Sequence, residues 1–221
     1  MRAMTIALTI TLALIAYLLG SIPNGYIVAR TRGIDIRTVG SGNIGATNVF
    51  RSVSKPLGLL TFALDALKGF IPAMFFPMII ERATGCPDTG RYFGILFAVT
   101  TVIGHNWTIF MKFKGGKGVA TAAGGLLAVI PSSIGVGFVV WVIMFATTRY
   151  VSIASIVTAV AVGGVTWWFY FKDHGWILPF ASTLLSIIVV WQHRGNIRRL
   201  CDGTENRIHF GRGPNSGSAA S

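Results

Sequence analysis

Val119-Ala-Thr-Ala-Ala-Gly-Gly-Leu-Leu-Ala-Val-Ile-Pro131-Ser-Ser-Ile-Gly-Val-Gly-Phe-Val-Val-Trp-Val-Ile-Met-Phe-Ala-Thr-Thr148 is the stretch whose reading decides the topology. It is apolar throughout and broken only at Pro131-Ser132-Ser133. A membrane-crossing helix needs about 20 apolar residues, so the run is long for one crossing and short for two. The choice decides on which side of the membrane the C-terminus lies.

The distribution of charge makes the choice. Apolar runs fall at 4–28, 57–80, 92–110, 119–130, 133–148, 151–170 and 175–191. With two crossings in the deciding stretch, Arg30, Arg32, Arg37, Arg51, Lys55, Lys112, Lys114, Lys117, Arg149, Arg194, Arg198, Arg199, Arg207 and Arg212 share one side, 14 of the 19 basic residues. Arg2, Arg82, Arg91 and Lys172 fall on the other side, and Lys68 lies within a span. A single crossing would place the arginine-rich C-terminus outside, against the inward bias of Lys and Arg. The expectation is an all-α integral membrane protein: seven transmembrane helices in one bundle, N-terminus outside and C-terminus cytoplasmic.

Composition agrees. Of 221 residues, 52% are hydrophobic and only 12% charged, with a mean hydropathy of +0.65, which leaves no room for a separate soluble domain. Residues 1–210 are read as one membrane domain, and the Gly/Ser/Pro/Asn-rich tail 211–221 as disordered. A net charge of +12 in a soluble protein would suggest nucleic acid. Here the charges punctuate apolar runs, so anionic headgroups and phosphate-bearing substrates are the expected partners, and nucleic acid is not. Cys86 and Cys201 fall on opposite sides, which excludes a disulfide and supports no metal site. At the N-terminus one basic residue precedes the apolar run and two arginines follow it, the reverse of a secretory signal.

Three polar clusters interrupt the apolar pattern on the basic side. In His105-Asn-Trp-Thr-Ile-Phe-Met-Lys-Phe-Lys-Gly-Gly-Lys-Gly-Val-Ala-Thr121, Lys112, Lys114 and Lys117 alternate with Gly115, Gly116 and Gly118. Any cytoplasmic turn collects lysines; the glycines suggest an anion site at the start of a helix. It is not a nucleotide-triphosphate loop, because Met111 and Gly118 stand where that motif needs Gly and Ser or Thr.

The second cluster runs from Val39 to Arg51. Gly40, Gly42 and Gly45 match the dinucleotide spacing, and Asp65 follows twenty residues later, but no strand precedes them. Either this is an ordinary Gly/Asn turn, or Ser41, Asn43, Thr47 and Asn48 offer hydrogen bonds and Arg51 a fork for phosphate oxygens. Behind it, Asp65 and Lys68 stand three apart within a span. Unpaired, each would cost about 2.5–3.5 kcal/mol at mid-bilayer, so they are expected to pair and to hold the neighbouring loops.

The third cluster is His193-Arg-Gly-Asn-Ile-Arg-Arg-Leu-Cys-Asp-Gly-Thr-Glu-Asn-Arg207. Asn196 follows His193 by three residues, on the same helical side, while Arg194, Arg198 and Arg199 satisfy the charge bias alone. His105 lies at the same boundary, and Ser152 follows Arg149-Tyr-Val at the inner end of the sixth span. No histidine is followed five residues later by Asp: the occupants are Phe110, Pro179, Arg198 and Pro214. That argues against the coenzyme A-dependent acyltransferases carrying such a signature.

In these stretches, together with Ser21-Ile-Pro23 and Arg149-Tyr-Val-Ser152, the chain resembles the PlsY family of membrane acyltransferases. It departs at Ile44 and in a longer extension past His209. The resemblance implies transfer of a fatty acyl group from long-chain acyl phosphate to the 1-hydroxyl of glycerol 3-phosphate, giving lysophosphatidic acid without coenzyme A. It implies a bacterial cytoplasmic membrane, a site at the cytoplasmic face, no cofactor, and no obligate protein partner. The catalytic expectation falls on Lys117, His193, Asn196, Ser41 and Asn43. Substrate binding falls on Gly42, Gly45, Thr47, Asn48, Arg51, Lys68, His105, Lys114, Gly115, Gly116, Gly118, Ser152 and Arg194, with Asp65 and Glu205 in support. One phosphate would sit on Ser41, Gly42, Asn43 and the Lys114–Gly118 loop, the other on Arg51, His193 and Asn196. Lys117 or a backbone N–H would meet charge on the carbonyl oxygen, and either His193 or a substrate phosphate would take the hydroxyl proton. The competing readings are a transporter for a phosphorylated solute and a membrane protein without chemistry.

Overall fold

The computed structural model describes residues 2–85 and 90–208. The tail 211–221 and Cys86 lie outside them, so neither the tail's order nor the cysteine placement enters the structure. Among the described residues all regular structure is helical: α1 (Arg2–Ser21), α2 (Asn24–Arg30), α3 (Ala46–Ser52), α4 (Lys55–Thr84), α5 (Gly90–Asn106), α6 (Val119–Val129), α7 (Pro131–Thr148), α8 (Val151–His174), α9 (Ile177–Gln192) and α10 (Arg194–Cys201).

The deciding stretch divides at Ile130. Pro131 lacks an N–H and cannot continue α6, but it suits the first turn of α7, where no donor is needed. The division gives α6 only 11 residues. At 1.5 Å per residue that is about 17 Å, roughly half the hydrocarbon thickness. Five helical segments are long and apolar enough to cross a membrane: Arg2–Arg30, Lys55–Thr84, Gly90–Met111, Pro131–Thr148 and Val151–His174. A sixth exists if α9 and α10 count as one across their 52° bend. Of the expected seven spans, five or six meet that length and composition among the described residues. α6 falls short of a full span and packs inside the bundle: Thr121, Ala122, Gly124, Gly125, Leu126 and Val129 are all enclosed by neighbours.

Side-chain pairs fix the direction of each helix. Ser133 meets Thr166 at 3.1 Å and Trp141 Nε1 donates to Ser155 Oγ at 3.4 Å, so α7 and α8 are antiparallel. Thr166 meets Ser182 at 3.3 Å while Ser186 donates to Ala159 O at 2.6 Å, so α8 and α9 are antiparallel too. α6 lies in a groove of small residues: side chains at Gly69 or Gly124 would collide with the facing backbone. Ser21 donates to Gly104 O at 3.3 Å and Thr108 to Ser21 O at 2.5 Å, which ties the ends of α1 and α5 together. As a result the ends of α1, α5, α7 and α9 and the starts of α4, α6 and α8 gather at one face. The three polar clusters meet there.

Candidate active site

Asn48 knots the first loop. Only 3% exposed, it offers Nδ2 to Ile36 O, Val39 O and Asn43 O at 3.1, 3.0 and 2.9 Å. Its Oδ1 accepts from Ser41 N at 3.0 Å and Ser52 Oγ at 3.2 Å. Asn48 lines a cavity, yet its polar atoms are committed to holding Ser41 and Asn43 in place. Asn43 Oδ1 accepts from Gly45 N at 2.8 Å at the start of α3, from which Thr47 and Arg51 face the same cavity. Gly42 turns the loop and lines neither cavity described below.

The glycine loop hangs from the end of α5. Gly115 N donates to Asn106 O and Gly116 N to His105 O, both at 3.1 Å. These two N–H groups are therefore not bare donors for a ligand, as the sequence suggested. What glycine supplies is proximity: a Cβ on Gly116 would overlap the imidazole of His105. Gly118, at φ +78°, then starts α6 with no side-chain cap, so its first N–H groups face the site.

Beneath the loop lies a charged network within the helices. Asp65 Oδ1 accepts from Lys68 Nζ at 2.8 Å and from Asn24 Nδ2 at 3.0 Å, with His105 Nδ1 at 3.7 Å. Lys68 also donates to Ile22 O at 2.8 Å. Lys68, expected to bind phosphate, stands away from both cavities with its ammonium already compensated.

Lys117 is placed differently. Its ammonium donates to Asn196 Oδ1, and among the described residues no carboxylate pairs with it. Asn196 is oriented in turn by Glu205, whose Oε1 accepts from Asn196 Nδ2 at 2.7 Å and from Ser152 Oγ at 2.9 Å. Glu205 Oε2 takes Arg199 Nε at 2.8 Å. Burial works to raise the Glu205 pKa, but these three hydrogen bonds outweigh it and hold the carboxyl below its ordinary value. Burial pushes Lys117 down from 10.5 to about 8, against the pull of Glu205. Burial and the nearby Lys117 charge likewise bring His193 down to about 4, so its ring is neutral at pH 7. With Nδ1 2.8 Å from Val189 O, the neutral ring carries its proton there and turns Nε2 outward as an acceptor.

Two cavities meet at the Lys117–Asn196 contact. The first, about 150 Å³, is lined by Ser41, Asn43, Gly45, Thr47, Asn48, Arg51, Asp65, His105, Lys117, Gly118, Ser152, His193, Asn196 and Glu205, with Phe62, Val119, Trp141 and Val151 forming an apolar side. The second, about 420 Å³, is lined by Ser41, Asn43, Lys114, Gly115, Gly116, Lys117, Arg194 and Asn196, together with Asn106 and Phe113. Arg194 stands at its rim, bonded at 3.2 Å to Trp191 O and to Gln192 Oε1. Sequence reasoning passed over Arg199, which lines both, although it continues the three-residue spacing of His193 and Asn196. It also missed Asn24 and Trp141, which only the fold brings in. Among the described residues no group of His, Cys, Asp or Glu could hold a metal ion.

The described helices thus form a polytopic bundle that presents two adjoining polar cavities, the first with an apolar side. The sequence pattern of glycerol-3-phosphate acyltransferases matches residues 10–203, and the chain belongs to that family, the PlsY acyltransferases. A glycerol-3-phosphate acyltransferase of Geotalea daltonii is 42% identical over 202 residues, covering 89% of this chain and 96% of that one. The crystal structure of PlsY, an integral membrane glycerol 3-phosphate acyltransferase, in its glycerol 3-phosphate form aligns with a TM-score of 0.81 at 38% identity, covering 91% and 96% of the two chains. Its lysophosphatidic acid form aligns with a TM-score of 0.78 at 37% identity, covering 91% and 95%.

Proposed function

We propose that the protein transfers a fatty acyl group from acyl phosphate to the 1-hydroxyl of glycerol 3-phosphate, giving lysophosphatidic acid and inorganic phosphate. The observation that carries this reading is Lys117: an ammonium drawn from water and, among the described residues, bonded to no carboxylate, where two phosphate-sized cavities join. Both substrates are anions that repel each other, and a central cation offsets that repulsion. One phosphate occupies the second cavity with Ser41, Asn43 and Lys114. The other occupies the first with Arg51, Arg199 and the N-terminus of α6.

The reaction needs little acid assistance, because phosphate is already a good leaving group. The glycerol hydroxyl oxygen attacks the acyl carbonyl carbon, and the bond from that carbon to the phosphate oxygen breaks. Lys117 meets the negative charge that develops on the carbonyl oxygen. His193 Nε2 accepts a hydrogen bond from the hydroxyl and orients it, but a ring with a pKa near 4 is a weak base. The proton goes instead to a substrate phosphate, whose second pKa is about 6. Ser152 is held by a Glu205 carboxylate with a depressed pKa, an arrangement that braces rather than activates it, so no acyl-enzyme forms.

In this reading the seven alternating helices α1 and α4–α9 cross a bacterial cytoplasmic membrane, α6 as a half-length member packed inside the bundle. The N-terminus lies outside and the site at the cytoplasmic face, as the basic residues favour. The domain spans residues 1–210, and the chemistry uses no cofactor and no partner protein.

The test supplies purified protein with glycerol 3-phosphate and either palmitoyl phosphate or palmitoyl coenzyme A, following lysophosphatidic acid and released phosphate. Product from acyl phosphate alone is expected. Product from coenzyme A alone would overturn the donor. No product from either, with uptake of labelled glycerol 3-phosphate into proteoliposomes, would replace the enzyme with a transporter.

A further inference from the structure

α9 presents one apolar stripe to the outside of the bundle. Phe180, Leu184, Ile187 and Trp191 recur at helical spacing, and all four are exposed. In a helix that crosses a membrane such a stripe meets hydrocarbon. It ends at Trp191, and the next side chain on that side is charged: the Arg194 guanidinium lies 5.2 Å from the centre of the Trp191 ring. The chain then bends by 52° into α10. Tryptophan followed by arginine at the end of an apolar stripe marks the level of lipid headgroups.

α10 is tied to the bundle by polar groups rather than by apolar packing. Among its residues only Asn196 is buried. That amide meets Lys117 and Glu205, and Arg199 pairs with Glu205 at 2.8 Å. The outward face is different in character. Arg194 and Arg198 stand one turn apart on it, next to Ile197 and Cys201, and all four are exposed. No acid pairs with Arg194 or Arg198 among the described residues. Like charges four apart in a helix repel, and a helix of eight residues without an apolar anchor is marginal by itself. An anion beside the two arginines, with apolar contact next to it, would offset both.

We infer that α10 carries a docking surface for anionic phospholipid headgroups, with Arg194 and Arg198 on the phosphates and Trp191 and Ile197 at the hydrocarbon boundary, and that this docking holds Asn196 against Lys117. The inference rests on the membrane-crossing reading of α9 given above. A bilayer surface offers negative charge and apolar depth side by side, which is what this face presents a match for. The arginines also continue the side of α9 that faces lipid, which favours a bilayer over a soluble acidic protein. Asn196 lies on the opposite side of the same two turns. A helix seated at the surface keeps its amide oxygen on the ammonium, and a helix that frays releases it.

The experiment places the protein in nanodiscs of phosphatidylcholine alone or with about 30% phosphatidylglycerol, enough to charge the surface. An environment-sensitive fluorophore on Cys201, in a Cys86→Ser background, reads the seating of α10, and kcat at saturating substrate reads its effect on the site. In the anionic bilayer the emission is expected to shift to the blue and kcat to rise about threefold. Arg198→Gln and Ile197→Asn should each reduce both responses while keeping turnover in phosphatidylcholine within about twofold of wild type. Equal emission in the two bilayers, the result expected if the face serves an acidic protein instead, overturns the docking surface. A blue shift with unchanged kcat overturns its link to Asn196. If Ile197→Asn does not fold, Arg198→Gln decides. Absence of turnover with any acyl donor would remove the acyltransferase reading, and the Cys201 emission would still test the surface.

Discussion

Lys68 and Lys117 are both lysines drawn away from water beside a glycine, and both were expected to bind phosphate. Their surroundings differ in one respect. Lys68 lies 2.8 Å from Asp65 and from Ile22 O, so its charge is compensated within the fold. Among the described residues Lys117 is bonded to the amide oxygen of Asn196, itself turned by Glu205, whose carboxylate pulls on the ammonium without bonding it. A buried cation that brings its own anion needs nothing further; one placed against a neutral acceptor is completed by a ligand. The pair separates a charge used to hold the fold from a charge used on substrate.

Replacing Lys117 by Met is the sharpest way to break this contrast. It should lower kcat/KM by about 10³-fold, since the same group serves binding and the developing oxyanion. The melting temperature should hold or rise, because a burial penalty is removed. Retained activity would place the chemistry elsewhere. Lys68→Met should do the reverse. It leaves the Asp65 carboxylate buried without its partner, which costs about 3–5 kcal/mol. Melting temperature and membrane yield should fall steeply, whereas KM for both substrates in the surviving fraction should move little. A rise in KM at unchanged stability would return Lys68 to the phosphate site.

How far this contrast was legible depends on range along the chain. Asp65 and Lys68 are one helical turn apart, and their pairing follows from sequence. That Lys117 bonds an amide rather than a carboxylate depends on Asn196, 79 residues away, and on Glu205 further still, so spacing could not reveal it. Asn48 shows the opposite failure. Its position among glycines reads as a ligand, but an amide with donors and an acceptor serves a loop backbone equally well, and here it knots the turn. The burial of α6 was hidden for a comparable reason: Gly124 and Gly125 permit close packing inside the bundle, and hydropathy cannot separate that from lipid exposure. Motif order and the basic side of the chain were readable because both are local.

His193 gives a smaller effect that sharpens the comparison. A neutral ring with Nε2 as acceptor orients the hydroxyl without taking its proton, so His193→Ala should lower kcat by about ten- to a hundredfold and leave measurable turnover. Complete loss at unchanged substrate affinity would make it the base. His193→Gln, which keeps an acceptor near the same place, should recover part of the loss.

The smallest effect is a dependence on pH, and here the two faces of Lys117 act with opposite sign. Burial lowers its pKa from 10.5 to about 8 in the free protein. Anion binding requires the ammonium, so kcat/KM for the phosphate substrates should fall as pH rises through about 8. A bound phosphate stabilises the charged form and raises its pKa, so kcat should hold to higher pH than kcat/KM. Stability runs the other way. Below about pH 8 the lysine is charged whether folded or unfolded, and the full cost of burying it is present. Between about 8 and 10.5 the folded protein binds fewer protons than the unfolded chain, so this contribution to stability rises with pH and then levels. Melting temperatures without substrate, and kcat/KM from pH 6 to 10, measure both limbs; Lys117→Met should remove both together. If the falling limb of kcat/KM persists in that variant, another group titrates there, and Lys117 loses its distinction from Lys68 as the cation that awaits an anion.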